Sequence, residues 1–141
     1  ILGQKKAGLV EVIWQGETVQ IYQERISCRK KLIICGGGHI SLAVSAIGQM
    51  LGLLVTVIDD RISFANSQRF PGAKVICKPF VQALQEVAYG PDSFFVIVTR
   101  GHAYDRVCLA ELLYKEYAYL GMIGSRLRVR KLKEQKQKYM N

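Results

Sequence analysis

The sequence predicts an α/β fold: a doubly wound parallel sheet preceded by a short β-hairpin. Apolar and polar residues alternate near the N-terminus, short continuous apolar runs follow, and apolar residues recur at helical spacing between those runs. Continuous apolar runs are typical of parallel strands that are buried on both faces. The 141 residues, half of them hydrophobic, are enough for one main domain with a substantial core.

The N-terminal part is expected to form the hairpin. Apolar and polar side chains alternate through residues 8–26, except for an interruption around Gly16, which is typical of a tight turn between two strands. A polar and basic linker follows the hairpin. We therefore place a first unit, the hairpin with its linker, at residues 1–30 and the main domain at residues 31–141.

The main domain is expected to contain five strands with helices between most of them and a helix at the end. The expected strands cover residues 32–35, 53–58, 74–77, 94–98 and 119–123, and the expected helices cover residues 40–51, 79–87, 105–116 and 126–138. Alternation of this kind gives a parallel sheet with right-handed crossovers. The expected strand order is 3-2-1-4-5, which places a crevice above the carboxyl ends of the first and fourth strands.

Charge and composition exclude several function classes. The net charge of +9 is concentrated in residues 126–138, where Glu134 is the only acidic residue. Such a run can contact an acidic partner or a phosphate, but it is commonly a solvated helix face. Nucleic-acid binding is not expected, because no aromatic stacking platform accompanies the charge. No apolar run is long enough to cross a membrane and no signal peptide is recognisable, so a cytoplasmic location is predicted.

The four cysteines, Cys28, Cys35, Cys77 and Cys108, match neither a zinc pattern nor a CxxC redox pair. Cys35 and Cys77 lie in apolar runs that are expected to form buried strands. We interpret the cysteines as reduced thiols that serve as small hydrophobic side chains. No metal site is predicted.

A glycine-rich turn follows the first strand of the main domain and opens a helix. Gly36 allows a tight turn, Gly38 lets a pyrophosphate approach the backbone, and the helix N-terminus supplies free N–H groups. Asp59 ends the second strand 21 residues after Gly38, where a carboxylate can accept hydrogen bonds from a ribose. These features predict a dinucleotide-binding, Rossmann-like domain with cofactor contacts from Gly36, Gly37, Gly38, His39, Ile40 and Asp59. The alternative is a plain strand–helix turn that binds nothing.

The residues around Asp59 bear on the choice of cofactor. A carboxylate at the ribose favours NAD and repels the 2′-phosphate of NADP, whereas Arg61 offsets that repulsion. NAD is therefore only mildly preferred over NADP, and Asp60 and Arg61 join the predicted cofactor site.

A second motif follows the fourth strand, at the sheet edge where such folds place function. His102 is a candidate acid, base or ligand, with a loop histidine bonded to the backbone as the alternative. Asp105 is expected to be a helix N-cap whatever else it does. His102 and Asp105 are the candidate catalytic residues, and the motif adds Thr99, Arg100, Gly101 and His102 to the predicted cofactor site.

A third motif, with Gly124 and Ser125, follows the fifth strand. It is predicted to form another anion-binding turn, although Ser125 could serve only as an N-cap. We expect His39, His102 and Ser125 to line one pocket beside the glycine-rich turn at residues 36–38, called the glycine loop below. Asp105 is expected to orient the loop that carries His102. The alternative is that His39 merely faces solvent.

Together these motifs resemble the Rossmann half of the xanthine dehydrogenase accessory family (XdhC/CoxI type). The resemblance rests on residues 32–39, 55–61, 64–65, 69–71, 99–102, 105 and 119–126. It implies a maturation factor for molybdenum hydroxylases, with the molybdenum cofactor as a possible ligand and the apo-enzyme and a cofactor sulfurtransferase as partners. We also expect a homo-oligomer. The alternatives are a stand-alone NAD(P)-dependent oxidoreductase and a nucleotide-sensing regulatory domain.

Overall fold

A computed structural model describes residues 8–23 and 29–124 of the chain. Four features predicted from the sequence lie outside the described residues: Ser125, Cys28, the helix over residues 126–138, and part of the linker between the hairpin and the main domain.

The N-terminal hairpin is confirmed. Strands β1 (Gly8–Trp14) and β2 (Glu17–Gln23) pair antiparallel, with Trp14 opposite Glu17. Gln15 and Gly16 form the two-residue turn with φ values of 51° and 86°. Two successive positive φ angles match the right-handed twist of paired strands, which is why such turns favour glycine.

The five-stranded parallel sheet is also confirmed. Its order is β5-β4-β3-β6-β7, which is the predicted 3-2-1-4-5 when counting starts at the first strand of the main domain. The strands are β3 (Lys31–Cys35), β4 (Leu54–Asp59), β5 (Lys74–Cys77), β6 (Ser93–Ile97) and β7 (Tyr119–Met122). Because β4 and β6 both pair with β3, the carboxyl end of β3 lies at the switch point of the sheet.

Three helices complete the described part of the main domain: α1 (His39–Met50), α2 (Phe80–Glu86) and α3 (His102–Leu112). The N-cap role expected for Asp105 is wrong, because α3 begins three residues earlier than predicted. Gly101 is the N-cap, with an extended backbone, and its carbonyl oxygen accepts from the amides of Tyr104 and Asp105. Asp105 lies buried in the first turn of the helix.

The core has one layer on each face of the sheet. On one face α1 covers a cluster with Leu32, Ile34, Val55, Val57 and Phe70. On the other face α2 and α3 cover a larger cluster built from Ile33, Cys35, Ile58, Phe80, Leu84, Phe95, Ile97, Cys108 and Leu112. The expectation that Cys77 is buried is wrong, because it ends the edge strand β5 and is exposed. None of the helices in residues 8–23 and 29–124 is long and apolar enough to cross a membrane.

Candidate functional site

The glycine loop is fixed between two strand ends. The amide of Gly36 donates to the carbonyl oxygen of Ile58 near the end of β4, and the amide of Val98 after β6 donates to the carbonyl oxygen of Cys35. Gly36 has a φ of 116°, and a Cβ at this position would collide with the Val98 backbone. Glycine is therefore required here both by conformation and by close approach of the chain.

The other two glycines of the loop have different surroundings. A Cβ on Gly37 would lie 2.6 Å from the carbonyl oxygen of Phe64, so this position is also closed. A Cβ on Gly38 meets no atom within 4 Å. Gly38 is also the N-cap of α1, and no side chain caps the helix there. The loop therefore presents open space and a helix N-terminus at the same point, which is the geometry that suits an anion.

Asp59 lies beneath the loop, not in front of it. Its carboxylate is 1% exposed and accepts a hydrogen bond from the Gly37 amide at 2.8 Å. It also accepts from the backbone amide, Nε and Nη2 of Arg61 at 3.0, 2.9 and 3.0 Å. These bonds to Asp59 raise the pKa of the Arg61 guanidinium. The ribose contact predicted for Asp59 stays a prediction, and it requires a hydroxyl to replace Arg61.

Two arginines pack around Phe64 beside the loop. The Arg61 guanidinium carbon lies 3.7 Å from the centroid of the Phe64 ring, and that of Arg69 lies 5.2 Å away. Nη2 of Arg69 donates to the carbonyl oxygen of Gly37 at 3.1 Å. Phe64 and Arg69 are not among the predicted site residues. They lie in the turns between β4 and β5, where no spacing rule points to the loop.

A second ion pair lies at the same edge of the sheet. Arg100 donates to both carboxylate oxygens of Asp60, at 2.5 Å from Nη1 to Oδ1 and 3.0 Å from Nη2 to Oδ2. The guanidinium stacks 4.0 Å from the centroid of the Tyr104 ring and donates to the Tyr104 hydroxyl. The hydrogen bond from Arg100 lowers the pKa of Asp60, and the same bond raises the pKa of Arg100.

The motif after β6 is held by a partly buried hydrogen bond. The Thr99 hydroxyl donates to Oδ1 of Asp105 at 2.5 Å and lies 3.0 Å from the carbonyl oxygen of Gly101. This bond ties the loop after β6 to the first turn of α3. His102 begins that helix and is half-buried, and its Nδ1 has no hydrogen-bond partner within residues 8–23 and 29–124.

The two histidines follow neighbouring strands. His39 begins α1 after β3 and is exposed, as is Ile40, and His102 begins α3 after β6. Gly124 follows β7, so it lies at the same edge of the sheet. The exposure of His39 agrees with the solvent-facing alternative. The shared pocket stays a prediction, and its third member, Ser125, lies outside the described residues.

Two other features of the described residues are a cavity and a pair of buried cysteines. A cavity of about 530 Å³ lies at the amino ends of the strands and is lined by residues that include Lys31, Leu54 and Lys74. Cys35 and Cys108 are fully buried behind the glycine loop, and the neighbouring Cys35 together with burial raises the pKa of the Cys108 thiol. Among the described residues, no group of three or more histidine, cysteine or acidic side chains is placed to hold a metal ion.

Two curated proteins are similar to this chain. YqeB of Escherichia coli K12 is 27% identical over 116 residues, which is 81% of this chain and 21% of that protein. A probable xanthine dehydrogenase subunit of Bacillus subtilis 168 is 26% identical over 117 residues, which is 82% of this chain and 36% of that protein. The chain thus spans only about a fifth and about a third of these relatives.

A solved structure and a protein family also match this chain. A crystal structure described as a xanthine dehydrogenase from Bacillus halodurans superimposes with a TM-score of 0.71 and 31% identity. The match covers 75% of this chain and 33% of the solved one. Residues 32–140 match the family described as the XdhC Rossmann domain. This chain belongs to the XdhC Rossmann domain family.

Proposed function

We propose that this domain is the nucleotide-binding part of an accessory protein that serves a molybdenum hydroxylase of the xanthine dehydrogenase type. Family membership and the name of the Bacillus subtilis relative support the association with xanthine dehydrogenase. The observation that carries the nucleotide part is the open face of Gly38, at the N-terminus of α1 and at the switch point of the sheet.

The residues present fit the phosphate portion of a ligand. The loop supplies backbone amides at a helix N-terminus, and the guanidinium group of Arg100 lies at the same sheet edge. Such a site binds a phosphate or pyrophosphate and does not distinguish between ligands that carry different groups on that phosphate. NAD and NADP are therefore candidates, and so is the phosphate end of the molybdenum cofactor.

The groups around Asp59 bear on the ribose end of the ligand. In the structure Asp59 is saturated by Gly37 and Arg61, so a ribose contact costs the ion pair with Arg61. Arg61 released in this way would be free to meet a 2′-phosphate. Comparing the binding of NAD with that of NADP therefore tests whether the Asp59–Arg61 pair opens when a ligand binds.

Thermal shift of the purified chain tests the nucleotide part of the proposal. NAD, NADP, ADP and CMP are the probes, and Gly38→Val is the variant that fills the open face of the loop. We expect at least one probe to stabilise the wild type and none to stabilise the variant, with both proteins folded. Absence of any shift in the wild type at millimolar nucleotide contradicts the proposal.

Co-purification tests the accessory role. A tagged copy of the longest protein that contains this domain is expressed in its own host, and the bound proteins are identified by mass spectrometry. We expect a hydroxylase that carries the molybdenum cofactor, or the enzyme that sulfurates the cofactor. A tagged copy with Gly38→Val is the control, because it identifies partners whose binding does not depend on the nucleotide site. Absence of both enzymes from the wild-type sample contradicts the accessory role, while the nucleotide experiment is unaffected.

A further inference from the structure

The ion pair between Asp60 and Arg100 joins the two strands that flank the glycine loop. Asp60 directly follows β4, and Arg100 lies shortly beyond β6. Both strands pair with β3, which leads into the loop. Because neighbouring strands lie about 4.8 Å apart, the pair reaches across roughly 10 Å of the sheet edge. Nη1 of Arg100 also lies 3.8 Å from Oδ1 of Asp59, the carboxylate that accepts from the Gly37 amide, so the pair lies beside the loop.

The two neighbouring carboxylates are held very differently. Asp59 is 1% exposed and anchors the Gly37 amide, so it cannot leave without disturbing the loop. The Asp60 side chain is 25% exposed, and besides Arg100 its only other ion-pair contact among the described residues is Arg61, at 4.0 Å. Asp60 can therefore release Arg100 into solvent at little structural cost, whereas Asp59 is needed to anchor the loop.

The exposure and orientation of Arg100 suit the binding of an acidic group. The Arg100 side chain is 33% exposed. Its guanidinium is oriented by stacking on the Tyr104 ring, and Nη1 lies 3.8 Å from Oδ1 of Asp59. A planar guanidinium binds a carboxylate and a phosphate with the same bidentate geometry. Asp60 therefore occupies the position on Arg100 that a phosphate of an entering ligand would take.

We propose that the Asp60–Arg100 pair is a clasp over the glycine loop, and that a phosphate of the ligand replaces Asp60 on Arg100. The inference rests on the proposed nucleotide site and assigns opposite roles to two of its residues. Arg100 binds the ligand, and Asp60 competes with it. The clasp responds only to anionic ligands, because only an anion can take the place of Asp60 on Arg100, and a neutral ligand leaves the pair closed.

Calorimetric titration of the purified chain with ADP, and with adenosine as the neutral probe, tests this assignment. Asp60→Asn keeps the size of the side chain and removes its charge. We expect it to bind ADP about fivefold more tightly than the wild type, since a partly exposed ion pair no longer has to be broken. Arg100→Gln is expected to bind ADP at least fivefold more weakly. Adenosine binding is expected to be the same in wild type and Asp60→Asn.

Glu86→Gln is the matched control. It removes a carboxylate from another exposed ion pair, with Lys78 at 2.6 Å, that has no part in the clasp. We expect its ADP affinity to equal that of the wild type. Unchanged or weaker ADP binding by Asp60→Asn overturns the clasp, and weaker binding would make Asp60 a direct ligand contact.

Failure of the nucleotide site itself is distinguishable from failure of the clasp. If none of these proteins binds ADP or NAD, the proposed function is wrong and the ligand part of the inference falls with it. Hydrogen exchange then tests only whether the Asp60–Arg100 pair closes over the glycine loop. Faster amide exchange in residues 36–40 of Asp60→Asn than of Glu86→Gln supports a clasp over the loop, and equal exchange overturns it.

Discussion

The amide of Gly37 donates a 2.8 Å hydrogen bond to the carboxylate of Asp59, which is buried beneath the glycine loop. The same carboxylate accepts three hydrogen bonds from Arg61. A carboxylate at the end of the second strand of such a domain is ordinarily interpreted as a ribose contact. Here it first serves the loop itself, because it fixes the conformation in which Gly38 faces open space.

Replacement of Asp59 is therefore expected to destabilise the fold. Asp59→Ala leaves the buried Gly37 amide and the Arg61 guanidinium without their acceptor, which costs about 2–4 kcal/mol. Asp59→Asn keeps an oxygen for Gly37 and is expected to lose about half as much. Urea unfolding of the three proteins measures the difference. Equal stability of wild type and Asp59→Ala would contradict the structural role.

The three loop glycines are expected to differ sharply in tolerance. Gly36→Ala is expected to cost about 2–4 kcal/mol, because the position combines a positive φ with a collision against the Val98 backbone. Gly37→Ala is also expected to be destabilising, through the Phe64 carbonyl oxygen. Gly38→Ser is expected to be neutral to slightly stabilising, since serine is a good N-cap.

The three glycine variants are compared by urea unfolding and by nucleotide-induced thermal shift. Gly38→Ser is expected to lose the shift while keeping its stability, which separates binding from folding. A Gly38→Ser protein as unstable as Gly36→Ala would show that the space in front of Gly38 is closed.

Much of the fold is predictable from the sequence, because burial leaves strong patterns. The continuous apolar runs indicate all five parallel strands, and the break around Gly16 indicates the hairpin. The start of α3 is predicted too late, at Asp105, because aspartate is a common N-cap and the loop before it is polar. A glycine N-cap at position 101 carries no such signal.

The candidate site is predictable in outline but not in its contacts. The glycine loop follows a known local pattern, so its position is predictable. The pairing of Asp60 with Arg100 joins residues that are 40 positions apart, and the contact of Arg69 with Gly37 joins residues 32 apart. Such contacts follow from strand order and side-chain reach, for which a single sequence offers no spacing rule.

The bond between Thr99 and Asp105 is expected to hold the loop after β6. Thr99→Val removes the hydroxyl and leaves a buried carboxylate oxygen without that donor, which costs about 1–3 kcal/mol. Thr99→Ser keeps the hydroxyl and is expected to retain most of the stability. Thermal and urea unfolding compare the two variants. If valine and serine behave alike, the hydrogen bond is not what holds the loop.

The reactivity of the cysteine thiols in the described residues is expected to follow their exposure. Cys77 is exposed at the edge strand, whereas Cys35 and Cys108 are buried and the pKa of Cys108 is raised. Because the thiolate is the reactive form, we expect an alkylating reagent at neutral pH to modify Cys77 within minutes and Cys35 and Cys108 only after unfolding. Mass spectrometry of the digested protein locates the label. Rapid labelling of Cys108 in the folded protein would contradict its burial.

The clasp is expected to weaken in acid. Arg100 lowers the pKa of Asp60 below its ordinary value of 3.8 in the folded chain. A carboxyl whose pKa is lowered by folding adds stability at pH values above its unfolded pKa, and this stability is lost as the pH falls through the lowered value. The coupling free energy between Asp60 and Arg100 should therefore be full near pH 7 and should shrink below about pH 4.

A double-mutant cycle with Asp60→Asn and Arg100→Gln, followed by urea unfolding at several pH values, measures this coupling free energy. A partly exposed ion pair of this kind is worth about 0.2–1 kcal/mol at neutral pH. A coupling that stays constant between pH 7 and pH 3, or that is absent at pH 7, would show that the two charges do not form the clasp in solution.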